Sequence, residues 1–124
     1  RRSLDEELLA DAARRIEGNH SFRGFAVKGT APETDDHRCT VSRARWLPRG
    51  GGFLFEIEAN RFLHHMVRFL VGTMLDVGTG KRKPDDVTAI LESGDNAAVS
   101  PPAPAHALFL ERVEYPPELY LDHE

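Results

Sequence analysis

Along the chain, apolar positions change from helical to alternating spacing and back again. Leu8, Leu9, Ala12, Ala13 and Ile16 recur every three to four residues, as on one face of a helix. Ser3 followed by Glu6 is a capping-box pattern, Asp5, Glu6 and Glu7 suit a helix N-terminus, and Gly18 suits its end. The spacing predicts a helix over 4–17. Over 19–28, Phe22 and Phe25 stand among small and basic residues, which fits a short strand or an ordered loop. Residues 29–37 are polar, contain Pro32 and read as an exposed loop. Over 38–47, Cys39 and Val41 fall on one side of an extended chain and Ala44 and Trp46 on the other, a strand with a bulge between the pairs. Pro48-Arg49-Gly50-Gly51-Gly52 is turn chemistry. Phe53, Phe55, Ile57 and Ala59 then alternate with Glu56 and Glu58, which predicts a half-buried strand over 53–59 paired with its predecessor as an antiparallel hairpin.

Asn60 is a good N-cap for a second helix over 61–77, closed by Gly78. Pro84 fits the first position of a third helix, with Val87, Ile90 and Leu91 as its buried stripe and Gly94 after its end. A Pro/Ala loop over 95–107 leads to a last strand over 107–115, ended by Pro116-Pro117. No internal repeat is present. The order predicts one α+β domain over 1–124, an antiparallel sheet with helices packed on one face in a two-layer, plait-like arrangement.

The second helix carries the most information. On a wheel, Phe62, Leu63, Met66, Val67, Phe69, Leu70, Val71, Met74 and Val77 fill a wide arc. Arg61, His64, His65, Arg68, Gly72 and Asp76 share the remaining arc of about 120°. Arg68 sits in its middle, with His64 and His65 one turn before it and Gly72 one turn after. A solvated face of an amphipathic helix gives the same pattern. Two features point further. The apolar arc is wider than one sheet face needs, and a glycine inside a helix costs about 1 kcal/mol, which makes sense where another backbone or a nucleotide comes close. A half-buried Arg68 then calls for an anion. His64 and His65 are adjacent, have no histidine at i+4 and lie far from Cys39, so metal ligation is a poor fit. Gly78-Thr79-Gly80-Lys81 fails the Walker pattern, because position 75 is Leu and position 82 is Arg. It is a basic turn, either solvated or touching an RNA backbone.

Charge sharpens this reading. The net charge of −4 hides a basic middle: residues 20–83 carry eleven basic and six acidic side chains, whereas 84–124 carry one and nine. Of the 16 basic residues 13 are arginine, the side chain that grips phosphate with a planar fork. Local basicity keeps a nucleic-acid partner open despite overall acidity. No run of about 18 apolar residues exists, which excludes a membrane-spanning helix, and the charged start is no signal peptide. Cys39 is the only cysteine, so a disulfide within one chain is excluded and a reducing compartment, the cytoplasm, is expected.

Phe62-Leu63-His64-His65-Met66-Val67-Arg68, continued by Val71-Gly72 and Val77-Gly78-Thr79-Gly80-Lys81, resembles the C-terminal half of the tRNA pseudouridine synthase A family. So do Gly18-Asn19-His20-Ser21-Phe22 with Phe25 upstream, and Ala103-Pro104-Ala105, Leu108-Phe109-Leu110 and Val113-Glu114-Tyr115-Pro116 downstream. Asn96 stands where that family usually has arginine, Ala107 where it has glycine and Ser21 where it has aspartate. The resemblance implies an enzyme that isomerises uridines just 3′ of the anticodon in tRNA to pseudouridine, without cofactor or metal, as a homodimer. In that family an aspartate attacks the nucleotide, and the uracil leaves, turns and reattaches through carbon. The resemblance makes Arg68 the catalytic-site partner of that aspartate. Its Arg-Thr-Asp-Ala-Gly pattern is absent here, and Thr34-Asp35-Asp36-His37 is a superficial echo read as loop. The chain alone is therefore expected to be inactive, one wall of a cleft. Candidate contacts to the anticodon arm of tRNA are Arg61, His64, His65, Lys81, Arg82, His20 and Arg23. The rival readings are a stand-alone RNA-binding module of plait type, which would expose aromatics on its sheet, and a dimerisation domain.

Overall fold

The structure, a computed structural model, describes residues 4–27, 29, 34–49, 52–103 and 110–114, with backbone alone at 49 and 110–114. Helix α1 spans Glu6–Ile16. Its cap is Asp5, whose Oδ1 accepts from the Glu7 and Leu8 N–H groups at 2.9 and 3.1 Å. The helix thus starts two residues later than expected, and Ser3 lies outside the described residues. Leu9, Ala12, Ala13 and Ile16 are buried as their spacing requires. The stretch left open between strand and loop forms both: strand β1, Gly18–Ser21, and a 3₁₀ turn, Arg23–Phe25.

Strand β2 spans Arg38–Arg49 and β3 spans Gly52–Ala59, an antiparallel pair whose register shifts between Val41 and Arg43. The expected bulge is therefore present. It reverses the alternation, so Cys39, Val41, Ala44 and Trp46 all reach the core. Ala44, just past it, donates its N–H to Glu17 Oε2 at 2.9 Å. Trp46 faces Phe55 across the pair, with ring centroids 4.9 Å apart. Simple alternation puts Glu56 in solvent, and here it fails. Glu56 is 4% exposed, and its Oε1 accepts from Nε of Arg45, the residue opposite it, at 2.8 Å.

The hairpin does not lead straight into the next helix. Asn60 donates its N–H to the Thr40 carbonyl at 3.1 Å and accepts the Thr40 N–H on Oδ1 at 2.7 Å. Its side chain extends the β2–β3 pairing and caps nothing. Helix α2 begins five residues later than expected and spans Met66–Gly78. It starts after His65, whose φ of 60° is left-handed and cannot belong to an α-helix. Helix α3, Pro84–Ser93, has the expected proline at its start, and Gly94 ends it at φ 65° with its N–H on the Ile90 carbonyl at 2.9 Å.

Strand β4, Leu110–Glu114, pairs with β3 in parallel, giving the order β1-β2-β3-β4. A parallel return needs a crossover, and α2 and α3 lie in it. Of the strand expected over 107–115, residues 107–109 and 115 lie outside the described residues, as do Pro116 and Pro117. The α+β expectation holds: β1, β2 and β3 are antiparallel, and the core lies between the inner face of β2–β3 and the helices. Met74 Sδ accepts the Trp46 indole N–H at 3.4 Å, and the Cys39 thiol rests on Met66 Sδ at 3.8 Å. Burial pushes that thiol up to about 11. Among the described residues, no helix is long and apolar enough to cross a membrane.

Candidate functional site

Helix α2 holds Arg68 on the side where the chain returns from α3. Residues Ser100 to Ala103 run back along that side, antiparallel to the helix. Ser100 donates its N–H to Thr73 Oγ1 at 3.4 Å. A Cβ built on Gly72 would lie 2.2 Å from the Pro101 carbonyl oxygen. Ala103 donates its N–H to the Arg68 carbonyl at 3.0 Å, and its own carbonyl accepts from Arg68 Nε at 2.8 Å. Of the two neighbours expected at the helical glycine, the structure supplies the backbone. Only a residue without a side chain lets this strap lie so close.

The contact sets the posture of Arg68. The side chain is half-buried. With Nε held by Ala103, the guanidinium is oriented through one of its nitrogens, and its two Nη atoms form an edge with no hydrogen-bond partner among the described residues. That edge has the geometry to take a carboxylate or phosphate in two parallel hydrogen bonds. Among the described residues no carboxylate forms an ion pair with Arg68.

His64 and His65 are not on the helix with Arg68. They form the turn before it, exposed, with their rings stacked at 4.0 Å and 21°. The His64 carbonyl accepts the Val27 N–H at 3.2 Å, tying this turn to the segment after the 3₁₀ turn. His65 is nonetheless a neighbour of Arg68. Loss of water around the ring, then His64, then Arg68 lower its pKa, which favours the neutral imidazole.

The other candidates separate into two groups. Arg61 is partly exposed but already paired, donating from Nη1 to Asp35 Oδ1 at 3.0 Å and from Nη2 to Asp35 Oδ2 at 2.6 Å. Asp35 also accepts the His37 N–H at 2.8 Å. Arg61 first, and that N–H second, hold the Asp35 carboxyl down at about 2. The Asp35-Asp36 echo thus builds a loop, as expected. Arg82 donates from Nε to Asp86 Oδ2 at 3.2 Å and from Nη1 to Ser100 Oγ at 2.9 Å. His20 has Nε2 2.7 Å from the Glu17 carbonyl and packs edge-on against Phe22. By contrast, Arg23 and Lys81 are exposed. Lys81 follows the far end of α2, whose last residue, Gly78, lies about 15 Å along the helix from Arg68.

Three contributors escaped the sequence reading: Thr73, Ser100 and the backbone of Ala103. Their signal was indirect, a glycine in the polar stripe of a helix and a Pro-Pro pair after a serine. Asn96, at a position where the resemblance expects arginine, donates from Nδ2 to the Gly24 and Ala26 carbonyls at 3.0 and 2.9 Å. Ala107 lies outside the described residues. Among the described residues no three His, Cys, Asp or Glu side chains gather as a metal site would require.

A family model described as tRNA pseudouridine synthase matches residues 12–116. The chain is 43% identical over 122 residues to tRNA pseudouridine synthase A of Porphyromonas gingivalis, covering 97% of this chain and 48% of that protein. It is 39% identical over 112 residues to the protein of the same name from Bacillus licheniformis, covering 90% of this chain and 44% of that one. The counterpart from Bacillus subtilis is 36% identical over 112 residues, again 90% and 44%. The chain spans about half the length of the curated relatives it matches. Matched in this way over most of its residues, the chain belongs to the tRNA pseudouridine synthase family.

Proposed function

We propose that this chain is the C-terminal half of an enzyme that isomerises uridine to pseudouridine in the anticodon arm of tRNA, and that it supplies Arg68 to a cleft whose other half carries the reacting aspartate. The observation that carries the reading is the Arg68 guanidinium, half-buried, tied through Nε to Ala103 and with its Nη edge unpaired among the described residues. A carboxylate meeting that edge is kept ionised and in one rotamer. Both are needed by a nucleophile that must attack a nucleotide turned out of its stack. The isomerisation exchanges a nitrogen–carbon link for a carbon–carbon link within one nucleotide, so no electron acceptor is required.

The exposed groups Arg23, Lys81, His64 and His65 are the proposed RNA contacts, with His20 beside them in the basic middle of the chain. Arg61 and Arg82 join that set only by giving up carboxylate partners inside the fold. The full-length protein is proposed to act as a homodimer in the cytoplasm, where a single buried thiol is stable. The rival plait-type RNA binder would stack bases on aromatics of an open sheet face. Phe55 is instead fully buried, and the opposite face of β2–β3 carries Arg45, Leu47, Glu58 and the buried Leu54 and Glu56, none of them aromatic. Unmodified tRNA is the test substrate. The enzyme carrying this chain should form pseudouridine, and the 124-residue chain by itself should form none. Pseudouridine made by the chain alone would overturn the division of labour.

A further inference from the structure

We propose that Arg82 is a positioning residue for Arg68, acting through Ser100 and the strap that follows it. This rests on the reading that Arg68 serves the isomerase cleft. Arg82 leaves the basic turn after α2 and points inward. Its guanidinium is held twice, by Asp86 on α3 and by Ser100 Oγ, at 3.2 and 2.9 Å. Ser100 is itself buried and also held twice, its hydroxyl by Arg82 and its N–H by Thr73. The two residues after it are Pro101 and Pro102, whose φ angles are locked by their rings. The next residue is Ala103, which bonds Arg68 through both its carbonyl and its N–H.

The path Asp86, Arg82, Ser100, Pro101, Pro102, Ala103, Arg68 is therefore continuous, and its peptide portion is stiff. It spans about 10 Å of extended chain from Ser100 to Ala103. Gly72 is the seat on which Pro101 lies, so a strap released at Ser100 has room to lift only outward. Lifting moves the Ala103 carbonyl, and with it the plane of the Arg68 guanidinium. A bidentate contact to a carboxylate depends on that plane, and an error of about 1 Å in a reacting group costs up to about a hundredfold in rate. A lone basic turn would be expected to meet RNA phosphate; here its exposed members are Lys81 and Lys83, and Arg82 serves the interior.

The test is a mutant cycle in the full-length enzyme, read as single-turnover pseudouridine formation and as tRNA affinity. Arg82→Ala and Ser100→Ala should each slow the chemical step about tenfold and leave affinity within about twofold. Arg82→Lys should not rescue, because a single ammonium cannot reproduce a planar fork that serves Asp86 and Ser100 together. Combined with Arg68→Ala, Ser100→Ala should add no further loss, since both act through one guanidinium. Ser100→Ala removes a single oxygen and carries the test if Arg82→Ala does not fold. Lost affinity with an unchanged rate would make Arg82 an RNA contact and overturn the proposal. So would a Ser100→Ala defect that multiplies undiminished onto Arg68→Ala, or a slow Arg68→Ala beside normal Arg82→Ala and Ser100→Ala. An Arg68→Ala enzyme with normal rate would instead remove the functional reading on which the proposal stands.

Discussion

Adding one methyl group at Gly72 tests the seating of the strap. In Gly72→Ala the new Cβ would stand 2.2 Å from the Pro101 carbonyl oxygen, 3.3 Å from its carbonyl carbon and 3.2 Å from the Ala103 nitrogen. All three are backbone atoms, so no side-chain rotation relieves the clash. Comfortable contact between heavy atoms begins near about 3.5 Å, so the strap has to retreat by about 1 Å. Overpacking of this kind costs about 1–3 kcal/mol. The retreat also stretches the two Arg68–Ala103 hydrogen bonds, each worth about 0.5–1.5 kcal/mol. Against this, alanine is better than glycine in a helix by about 1 kcal/mol. The balance is a destabilisation of about 3 kcal/mol, roughly 10 °C in Tm for a domain of this size. Urea unfolding followed by Trp46 fluorescence measures it, and a lower midpoint with an unchanged slope reports a loss of stability alone. A variant more stable than the parent by the helix-propensity gain would refute the close contact.

Three further outcomes follow from the fold. Asp35 is held at about 2, below the ordinary carboxylate value, so its pairing with Arg61 stabilises the folded chain above about pH 4 and is lost as pH falls from there through about 2; unfolding midpoints measured across that window should fall more steeply for the parent than for Asp35→Asn, and parallel profiles would contradict the pairing. Asn96→Ala removes donors to the Gly24 and Ala26 carbonyls and should cost about 1–3 kcal/mol in urea unfolding; an unchanged midpoint would show that these bonds contribute nothing. Cys39 is fully buried with its thiol raised to about 11, so a disulfide reagent at pH 8 should modify it only at the rate of unfolding, and prompt modification of native protein would contradict its place in the core.

Local chemistry explains which elements were legible in the sequence. Pro84 and Gly94 bracket α3 because a fixed φ and a left-handed cap are properties of single residues. The break in alternation between Val41 and Ala44 announced the bulge, since the core admits only one face of a strand. The errors arose where a distant partner took a residue away from its local role. Asn60 is as good an N-cap as any, but Thr40, twenty positions earlier, claims its side chain. His64 and His65 consequently lie ahead of the helix and not along it. Glu56 follows a polar alternation that would place it in water, and Arg45 across the hairpin receives it instead. The parallel pairing of β4 depends on the crossover path, which no local pattern encodes. At the candidate site, Arg68 and the need for a close neighbour at Gly72 were both readable, because a buried charge and a helical glycine each demand an explanation. That the neighbour is Pro101, and that Ala103 holds Nε, came only with the tertiary path of the strap.

The central claim is that the Arg68 guanidinium serves a carboxylate in the reaction and not the RNA backbone. Its most direct measurement is Arg68→Ala in the full-length enzyme, with single-turnover pseudouridine formation and tRNA dissociation constant determined on the same preparation. Loss of a half-buried charged partner predicts a rate lower by at least about a hundredfold, with the dissociation constant within about twofold of the parent. Equal losses in rate and affinity would make Arg68 a phosphate contact and contradict the account.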